Sequence, residues 1–401
     1  MTLDRRLLVL GYCLFLGPFG GVNVIIPMQD ALQKDLSTSL EMVTLSISIA
    51  MVPFALLQFF SGAVADRCEP RRTLLAGLAT YGAGAALCAV SPEIWTFLAG
   101  RAIQGIGLAF FNPVALAMVG ELVPSERRGY VMGWMGTINT AGIATGPLAG
   151  GIAAEVNWRL AYYLIIGMTA ASVVLYAATF PARGPSCGRM GNVLGRLGEV
   201  GSIRTVQLTC LGGFAAFFAY GAALTFVGEW LEGPPLGLTE STIGLAIALG
   251  GLAGILVSPV AGYVADHTGR GKVSALGFAL AVGCYLGFAF ASGLFLVQAL
   301  FFMMGAAMAF TWAGLITLSV ELVPGERNTS STLFNAMRFS GYALSPFLLV
   351  FVYTRSGLAS VMAISAAMAL VGMAAAIALS RRPGGDAPKK EAVTSGKAGN
   401  G

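Results

Sequence analysis

The sequence is poor in charged residues. Only 11% of its 401 residues are Asp, Glu, Lys or Arg, and 56% are hydrophobic, whereas soluble domains carry roughly 25% charged residues. A chain this apolar cannot hide its side chains inside one soluble globule, so we expect lipid as its solvent. The net charge of +5 would suggest anionic partners in a soluble protein. Here the location of the charges matters more, and no nucleic acid partner is expected.

Histidine and paired cysteines are also scarce. The single histidine, His267, lies in a short charged loop, which argues against a Ser-His-Asp site deep in the chain. The six cysteines form no Cys-x-x-Cys pair and sit mostly inside apolar runs, so we expect free packing thiols. No nucleophile–base pair or metal-ligand cluster appears. We therefore expect no enzyme activity, no metal and no cofactor.

Long runs almost without charge dominate the chain. The run 273–320 would be about 72 Å long as one helix, over twice the roughly 30 Å bilayer core, so it should turn at Ser292-Gly293. The run 7–29 has no obvious cleavage site and is kept as a first span rather than a signal peptide. Twelve spans are predicted: 7–29, 42–65, 73–92, 94–120, 129–154, 160–182, 205–228, 241–265, two within 273–320, 328–354 and 356–380.

Lysine and arginine placement predicts the orientation. With the N-terminus in the cytoplasm, most of the 24 basic residues face the cytoplasm, and only Lys34, Arg159 and Arg355 face outward. This bias favours cytoplasmic N- and C-termini in the inner or plasma membrane of the cell.

Two phrases recur at an offset of 200 residues. Residues 62–67 return as 262–267, and six of the seven residues 121–127 are identical in 321–327. Gly105 pairs with Gly305 at the same offset. This repetition predicts a duplicated half. We expect a bundle over 1–182, a cytoplasmic linker over 183–203, a second bundle over 204–381 and a disordered cytoplasmic tail over 382–401.

The charged stretch after the second span resembles the signature of the major facilitator superfamily, Gly-x-Leu-Ala-Asp-Arg-x-Gly-Arg-Arg. It departs from that signature at Glu69 and Pro70. The resemblance implies a gating latch on the cytoplasmic side; an ordinary positive-inside loop is the simpler alternative for one copy. The matching residues are Gly62, Asp66, Arg67 and Arg71, with Gly262, Asp266 and Arg270 in the second copy.

Two further motifs resemble the same superfamily. Arg101, Gln104 and Gly105 match its Arg-x-x-Gln-Gly-x-Gly motif, which implies a role in substrate and proton coupling. An arginine inside a span is costly and indicates function, although Arg101 could instead snorkel to the outer surface. The other motif resembles that of the twelve-helix drug:proton antiporters, although a packing face without a transport role is also compatible with it. Its residues are Gly142, Gly146, Pro147, Gly150 and Gly151.

Proton-carrying acids are missing from the spans where antiporters often place them. Spans one and seven hold no acidic residue before Glu229. Glu229 is therefore the first choice of proton carrier, with a surface residue as the equal alternative. Arg338 either lines the cavity or snorkels inward. Further candidates for the substrate cavity are Asn23, Gln58, Gln104, Asn112, Asn139, Phe218, Tyr220, Trp312 and Asn335, although such aromatics usually pack.

These observations predict an all-α integral membrane protein with twelve transmembrane helices in two pseudo-symmetric six-helix bundles, the major facilitator fold. Substrate would bind near the midplane between the bundles. The leading function is proton-coupled export of a small amphipathic or hydrophobic compound, with protons as the coupling ion and a monomer as the working unit. The alternative is organic-anion symport or facilitation using Arg101 and Arg338. A receptor or scaffold that no longer transports is a third possibility.

Overall fold

The computed structural model describes residues 3–21, 23–180, 193–234, 236–323 and 326–381, and within them all regular structure is helical. The elements are α1 (Leu3–Gly21), a 3-10 helix (Asn23–Met28), α2 (Gln29–Asp35), α3 (Leu40–Cys68), α4 (Pro70–Ala89), α5 (Ile94–Leu122), α6 (Ser125–Val156), α7 (Arg159–Thr179), α8 (Val193–Gly201), α9 (Arg204–Glu232), α10 (Glu240–Thr268), α11 (Arg270–Ala289), α12 (Leu294–Glu321) and α13 (Arg327–Ser380). The predicted tail and residues 183–192 of the predicted linker lie outside the described residues.

Eight of the described helices are long and apolar enough to cross a membrane. They are α3, α5, α7 and α9 to α13. Large apolar side chains are exposed on the surface of several of them, among them Val174, Leu256 and Phe351. Exposed apolar surface on this scale is stable only against lipid or a partner. The helical fold class is therefore confirmed, and the helices of membrane length agree with the predicted membrane location.

The first predicted span is interrupted. We expected one run over 7–29, but α1 ends at Gly21 and a 3-10 helix covers Asn23–Met28. Consecutive glycines at 20 and 21 weaken an α-helix, and Pro27 lacks the amide hydrogen that an α-helix would use. The single-helix prediction was wrong for this reason, and Asn23 is the first residue of the 3-10 helix.

The charged motif is a helix end rather than a loop. Helix α3 continues through Gly62, Asp66 and Arg67 to Cys68, and the chain reverses at Glu69, whose φ is 65°. In the second copy, Gly269 has a φ of 103° at the same place between α10 and α11. Positive φ favours glycine, which explains the glycine of the signature. The side chains of residues 61–68 lie outside the described part.

The two other predicted breaks agree with the structure. Helix α11 ends at Ala289 and α12 begins at Leu294, which confirms a turn at Ser292-Gly293. Near the predicted break before residue 356, Gly357 has a φ of 73° and divides α13 into two limbs. The part of the predicted linker over Val193–Gly201 is helical, as α8.

The duplication extends to atomic contacts. A Cβ added at Gly105 would lie 2.0 Å from the carbonyl oxygen of Ala50, and a Cβ at Gly305 would lie 1.9 Å from that of Gly250. The offset of 200 relates Gly105 to Gly305 and Ala50 to Gly250. Glycine at 105 and 305 therefore lets α5 approach α3, and α12 approach α10, in the same way. The repeat seen in the sequence is thus a repeat of packing.

The two halves meet through two equivalent pairs of helices. Helix α3 packs along the first limb of α13, and α6 packs along α10. The offset of 200 relates α3 to α10, and α6 to the first limb of α13. The contact of α3 with α13 therefore corresponds to the contact of α10 with α6. Exchange of the two contacts is what a two-fold relation between the halves requires. We refer to α1–α7 as the N half and α9–α13 as the C half.

Candidate functional site

Arg338 lies in the first limb of α13 with its guanidinium against three aromatic rings. Its Cζ atom is 4.2 Å from the ring centroid of Trp312, 4.2 Å from that of Phe339 and 5.0 Å from that of Phe217. We call Arg338 and these three rings the Arg338 cage. Helices α9, α12 and α13 build it, and aromatic faces attract a cation through their quadrupole.

No carboxylate lies near the cage along the helices that form it. Helix α13 contains no acidic residue, Glu321 is nine residues from Trp312, and Glu229 is twelve residues from Phe217. At 1.5 Å per residue these separations are about 13 and 18 Å. Among the described residues, the buried Nε of Arg338 has no hydrogen-bond partner. The residue as a whole is half-buried, and it forms no ion pair with any residue of the described ranges.

The cage sits where the two halves meet. The ring of Phe54, from α3 of the N half, lies 4.6 Å from that of Phe339. One turn further along α13, the Tyr342 hydroxyl donates a hydrogen bond of 3.2 Å to Oδ1 of Asn23 in the 3-10 helix. Relative motion of the halves must therefore alter the surroundings of Arg338.

A second cation, Arg101, lies inside the N half. It is 0% exposed, so the snorkelling alternative is wrong. Its Nη1 donates a 2.8 Å hydrogen bond to Oε1 of Gln104, while Nε and Nη2 have no hydrogen-bond partner among the described residues. The buried phenols of Tyr81 and Tyr162 are its electrostatic neighbours. No described carboxylate forms an ion pair with Arg101, and an unpaired buried charge is costly, which favours a functional role over a packing role.

The end of the bundle that carries α2 is closed by hydrogen bonds between the halves. Nε2 of Gln29 donates to the carbonyl oxygen of Thr225 at 2.9 Å. Nε2 of Gln33 donates to the Glu229 carboxylate at 3.3 and 3.5 Å. We call this end the α2 end. Glu229, the predicted proton carrier, thus belongs to a contact between the halves.

Glu232, one helical turn beyond Glu229, was missed by the sequence analysis. Both of its carboxylate oxygens are buried without a hydrogen-bond partner among the described residues. It is i+3 to Glu229 on α9, and residues three apart share a helix face. The sequence shows both acids at the end of the helix, just before Gly233. Only their burial in the structure distinguishes this pair from surface residues.

The antiporter-like glycines pack against the other elements of the α2 end. A Cβ at Gly146 would lie 2.5 Å from the carbonyl oxygen of Phe19, and one at Gly150 would lie 2.0 Å from that of Val24. A Cβ at Gly151 would lie 2.2 Å from the carbonyl oxygen of Glu240 in the C half. Gly142 and Pro147 lie in the same helix, α6. The motif therefore lets α6 approach the broken first span and the N-terminus of α10.

One more contact joins the halves here. Glu155 Oε1 accepts a 3.3 Å hydrogen bond from the backbone amide of Ser241. This amide belongs to the first turn of α10, whose free N–H groups favour a negative partner. Gly151 lets α6 approach α10 closely, and the hydrogen bond of Glu155 adds a polar contact between the same two helices.

The second copy of the gating motif joins the two repeated phrases. Arg270 forms an ion pair with Glu321, the first residue of the phrase 321–327, and lies 3.8 Å from Asp266. In the first copy, Pro70 occupies the place of Arg270. There, Nε of Arg71 donates to the carbonyl oxygen of Phe180 instead. Both sets of contacts lie at the end opposite α2.

The predicted cavity residues fall into separate places. Trp312 is part of the Arg338 cage, and Asn23 accepts the hydrogen bond of Tyr342 next to it. Gln104 accepts a hydrogen bond from Arg101. Tyr220 lines a small cavity within the C half. Phe218 is buried and stacks with Phe214, so its neighbour Phe217 faces Arg338 in its place. The remaining candidates are half-buried: Gln58, Asn112, Asn139 and Asn335.

Titratable and thiol groups in the described part offer no other chemistry. No group of three or more His, Cys, Asp or Glu side chains in that part could hold a metal ion. The thiols of Cys13, Cys88, Cys210 and Cys284 are free and buried, as the packing interpretation predicts.

Comparison with known proteins agrees with this architecture. The sequence profile of the Major Facilitator Superfamily matches residues 8–189 and 209–399. The chain is 25% identical to an uncharacterized MFS-type transporter, YceJ, of Bacillus subtilis (strain 168), over 82% of this chain and 85% of the relative. It is 27% identical to a second such transporter of that organism, YwfA, over 91% and 90%. It is also 28% identical to the methylenomycin A resistance protein of that organism, over 76% of this chain and 60% of the relative.

The match covers both repeated halves, and relatives along most of the chain are transporters rather than enzymes. Together with the membrane-length helices and the two-fold contact between halves, these findings show that the chain belongs to the Major Facilitator Superfamily and is a multi-pass membrane transporter.

Proposed function

We propose that this transporter exports a small amphipathic or hydrophobic compound in exchange for protons, by alternating access of its two halves. The antiporter-like glycines of α6, which pack at the α2 end, support this proposal. A relative that is 28% identical to this chain is named a methylenomycin A resistance protein, and export of a toxic compound is one route to resistance. Glycine-mediated approach of α6 to α10 would seal one side of the membrane while the other is open.

Twelve crossings are part of the proposal. Helices α1, α4 and α6 would span in addition to the eight already identified, and Gly357 would divide α13 into two crossings. We propose bundles over 1–182 and 204–381, a linker over 183–203 and a tail over 382–401. The placement of Lys and Arg favours cytoplasmic termini in the inner or plasma membrane. The α2 end then faces outward, and one chain suffices for transport.

The repeated gating residues would act at the cytoplasmic end. The contacts that Arg270 makes with Asp266 and Glu321 support a latch within the C half. Asp66 would serve the equivalent role in the N half. Loss of its charge should slow turnover of any substrate, whereas a scaffold without transport would be unaffected.

The observation that carries the proton proposal is the contact of Glu229 with Gln33. An ionised carboxylate only accepts hydrogen bonds, whereas a protonated one also carries a donor. Proton binding at Glu229 would therefore change a bond that joins the two halves at their closed end. This change couples proton occupancy to opening, which is what an exchanger requires.

Proton flux in proteoliposomes with an imposed pH gradient tests the proposal. Wild type and Glu229→Gln are compared with a panel of lipophilic cations and a panel of organic anions. Substrate addition should release protons through the wild type, and Glu229→Gln should abolish that release while keeping substrate binding. Glu93→Gln is the matched control, because Glu93 is an exposed acid at the same end. Proton release that survives in Glu229→Gln would contradict the assignment of Glu229.

A second candidate function is supported by the two arginines. Arg338 and Arg101 place positive charge inside the protein and form no ion pair in the part of the chain that the structure describes, which favours anions. Organic-anion symport or facilitated transport would use that charge without a proton carrier at Glu229. Anion flux that is unchanged in Glu229→Gln would move this candidate to first place.

A further inference from the structure

The walls on the two sides of the central contact differ. At the positions of Phe217, Trp312 and Phe339 in the C half, the offset of 200 places Gly17, Asn112 and Asn139 in the N half. The two-fold relation of the helix contacts puts these residues at equivalent places. One wall is therefore aromatic and positively charged, and the facing wall is small and carries amides.

The aromatic wall is not free to hold a cation. Lipophilic cations bind proteins over aromatic faces, but the faces of Trp312 and Phe339 already lie 4.2 Å from the guanidinium of Arg338. A second positive charge would also be repelled by Arg338. A cationic compound is therefore a poor occupant of this place.

An anion is instead attracted to the guanidinium of Arg338. A carboxylate can accept two parallel hydrogen bonds from a guanidinium, and Arg338 has no ion pair among the described residues. The edges of the Phe217 and Trp312 rings, whose centroids are 6.0 Å apart, can pack against an aromatic ring next to the charge. The amides of Asn112 and Asn139 can meet further polar atoms of a ligand.

We propose that the Arg338 cage binds the anionic end of an aromatic substrate, such as an aromatic carboxylate, between the two halves. This inference rests on the proposed transport function and names its substrate class: the amphipathic compound is an organic anion with a ring. Phe54 contacts Phe339 from the N half, so a ligand at the cage touches groups of both halves. Closure of either end can thus respond to its presence.

Equilibrium binding to the full-length protein in lipid nanodiscs tests this site. The probes are naphthoate, its neutral analogue naphthamide, the cation naphthylmethylammonium and the non-aromatic anion cyclohexanecarboxylate. We expect naphthoate to bind wild type at least tenfold more tightly than each of the other three. Quenching of Trp312 fluorescence, lost in Trp312→Phe, should report its location.

Three variants separate a binding role from a structural role. Arg338→Gln should reduce the preference for naphthoate over naphthamide to less than twofold while naphthamide still binds. Arg338→Lys should retain part of the preference, because it keeps the charge and loses the planar fork. Arg355→Gln, an exposed arginine of the same helix, should leave the preference unchanged and is the matched control.

Several results would overturn the site. Equal binding of naphthoate and naphthamide to wild type, tighter binding of the cation, or a preference that persists in Arg338→Gln would each do so. Should Arg338→Gln fail to fold, the wild-type preferences and Arg338→Lys still decide the question. Failure of the transport proposal is distinct: naphthoate would then bind with the expected preference, while no substrate releases protons from proteoliposomes.

Discussion

Replacing Gly151 with Ala should open the α2 end of the transporter. The added Cβ would lie 2.2 Å from the carbonyl oxygen of Glu240, whereas ordinary contact begins at 3.4 Å. The two helices must therefore separate by about 1 Å, and overpacking of this kind costs about 1–3 kcal/mol. The higher helix propensity of Ala does not offset this cost, because residue 151 is helical whether the end is closed or open.

The cost falls on the closed state alone and therefore shifts a population. A change of about 1–3 kcal/mol alters the ratio of open to closed molecules by about 5- to 150-fold. Spin labels at Val156 and Leu245 can measure it, since both side chains are exposed and lie on α6 and α10. The distance distribution in Gly151→Ala should gain a longer component that wild type lacks.

Gly136→Ala is the control for the same helix, because a Cβ at Gly136 meets nothing within 4 Å. It should keep the wild-type distance distribution. Identical distributions in Gly151→Ala, Gly136→Ala and wild type would refute the view that close packing of α6 on α10 holds the α2 end closed.

Two further predictions concern stability and energetics. Gly269→Ala should lower the thermal unfolding temperature in detergent by an amount equivalent to about 1–3 kcal/mol, because the φ of 103° excludes most side chains. Gly283→Ala is the control and should not lower it, because a Cβ at Gly283 would lie in open space. Equal unfolding temperatures for the two variants would contradict the argument from backbone strain. Export of one monovalent anion in exchange for entry of one proton moves the equivalent of two positive charges inward. Each 100 mV across a proteoliposome membrane should therefore change the driving force of the exchange by about 4.6 kcal/mol. Transport of naphthoate that is insensitive to a potassium-valinomycin potential would contradict this stoichiometry.

Hydropathy predicted most of the helices because a helix of membrane length depends on local composition. Apolar runs of membrane length become helices in any arrangement, and the turn at Ser292-Gly293 follows from length alone. The break between α1 and the 3-10 helix was missed, because a run of apolar residues hides the effect of two glycines and Pro27. Backbone preference decided that segment, and hydropathy does not measure it.

The site was harder to predict because it depends on which way side chains point. Trp312 and Arg338 were both candidates, but nothing in the sequence joins residues 26 positions apart on different helices. Phe217 was passed over for its neighbour Phe218, since residues 214–220 are all aromatic or alanine and the sequence alone does not show which of them face inward. Glu232 differs from a surface acid only by burial, which a single sequence does not reveal.

The repeat separates residues that build the fold from residues that act. Positions that are the same in both halves, such as Gly105 and Gly305, make the same backbone contacts. The charged candidates, in contrast, have no counterpart: Phe301 stands opposite Arg101, Ile138 opposite Arg338 and Gln29 opposite Glu229. A charge that one half omits is not needed to fold that half, so we propose functional roles for these three charged residues.

The sign of the added charge then limits the substrate. A unit charge about 5 Å from Arg338, at an effective dielectric constant of about 20, interacts with it by about 3 kcal/mol. The interaction is attractive for an anion and repulsive for a cation, so the two differ by about 6 kcal/mol before the cost of removing each from water. Desolvation weakens binding of both ions by similar amounts and cannot reverse this order. Under the substrate proposal, the charge of Arg338 therefore selects for anions at the central contact.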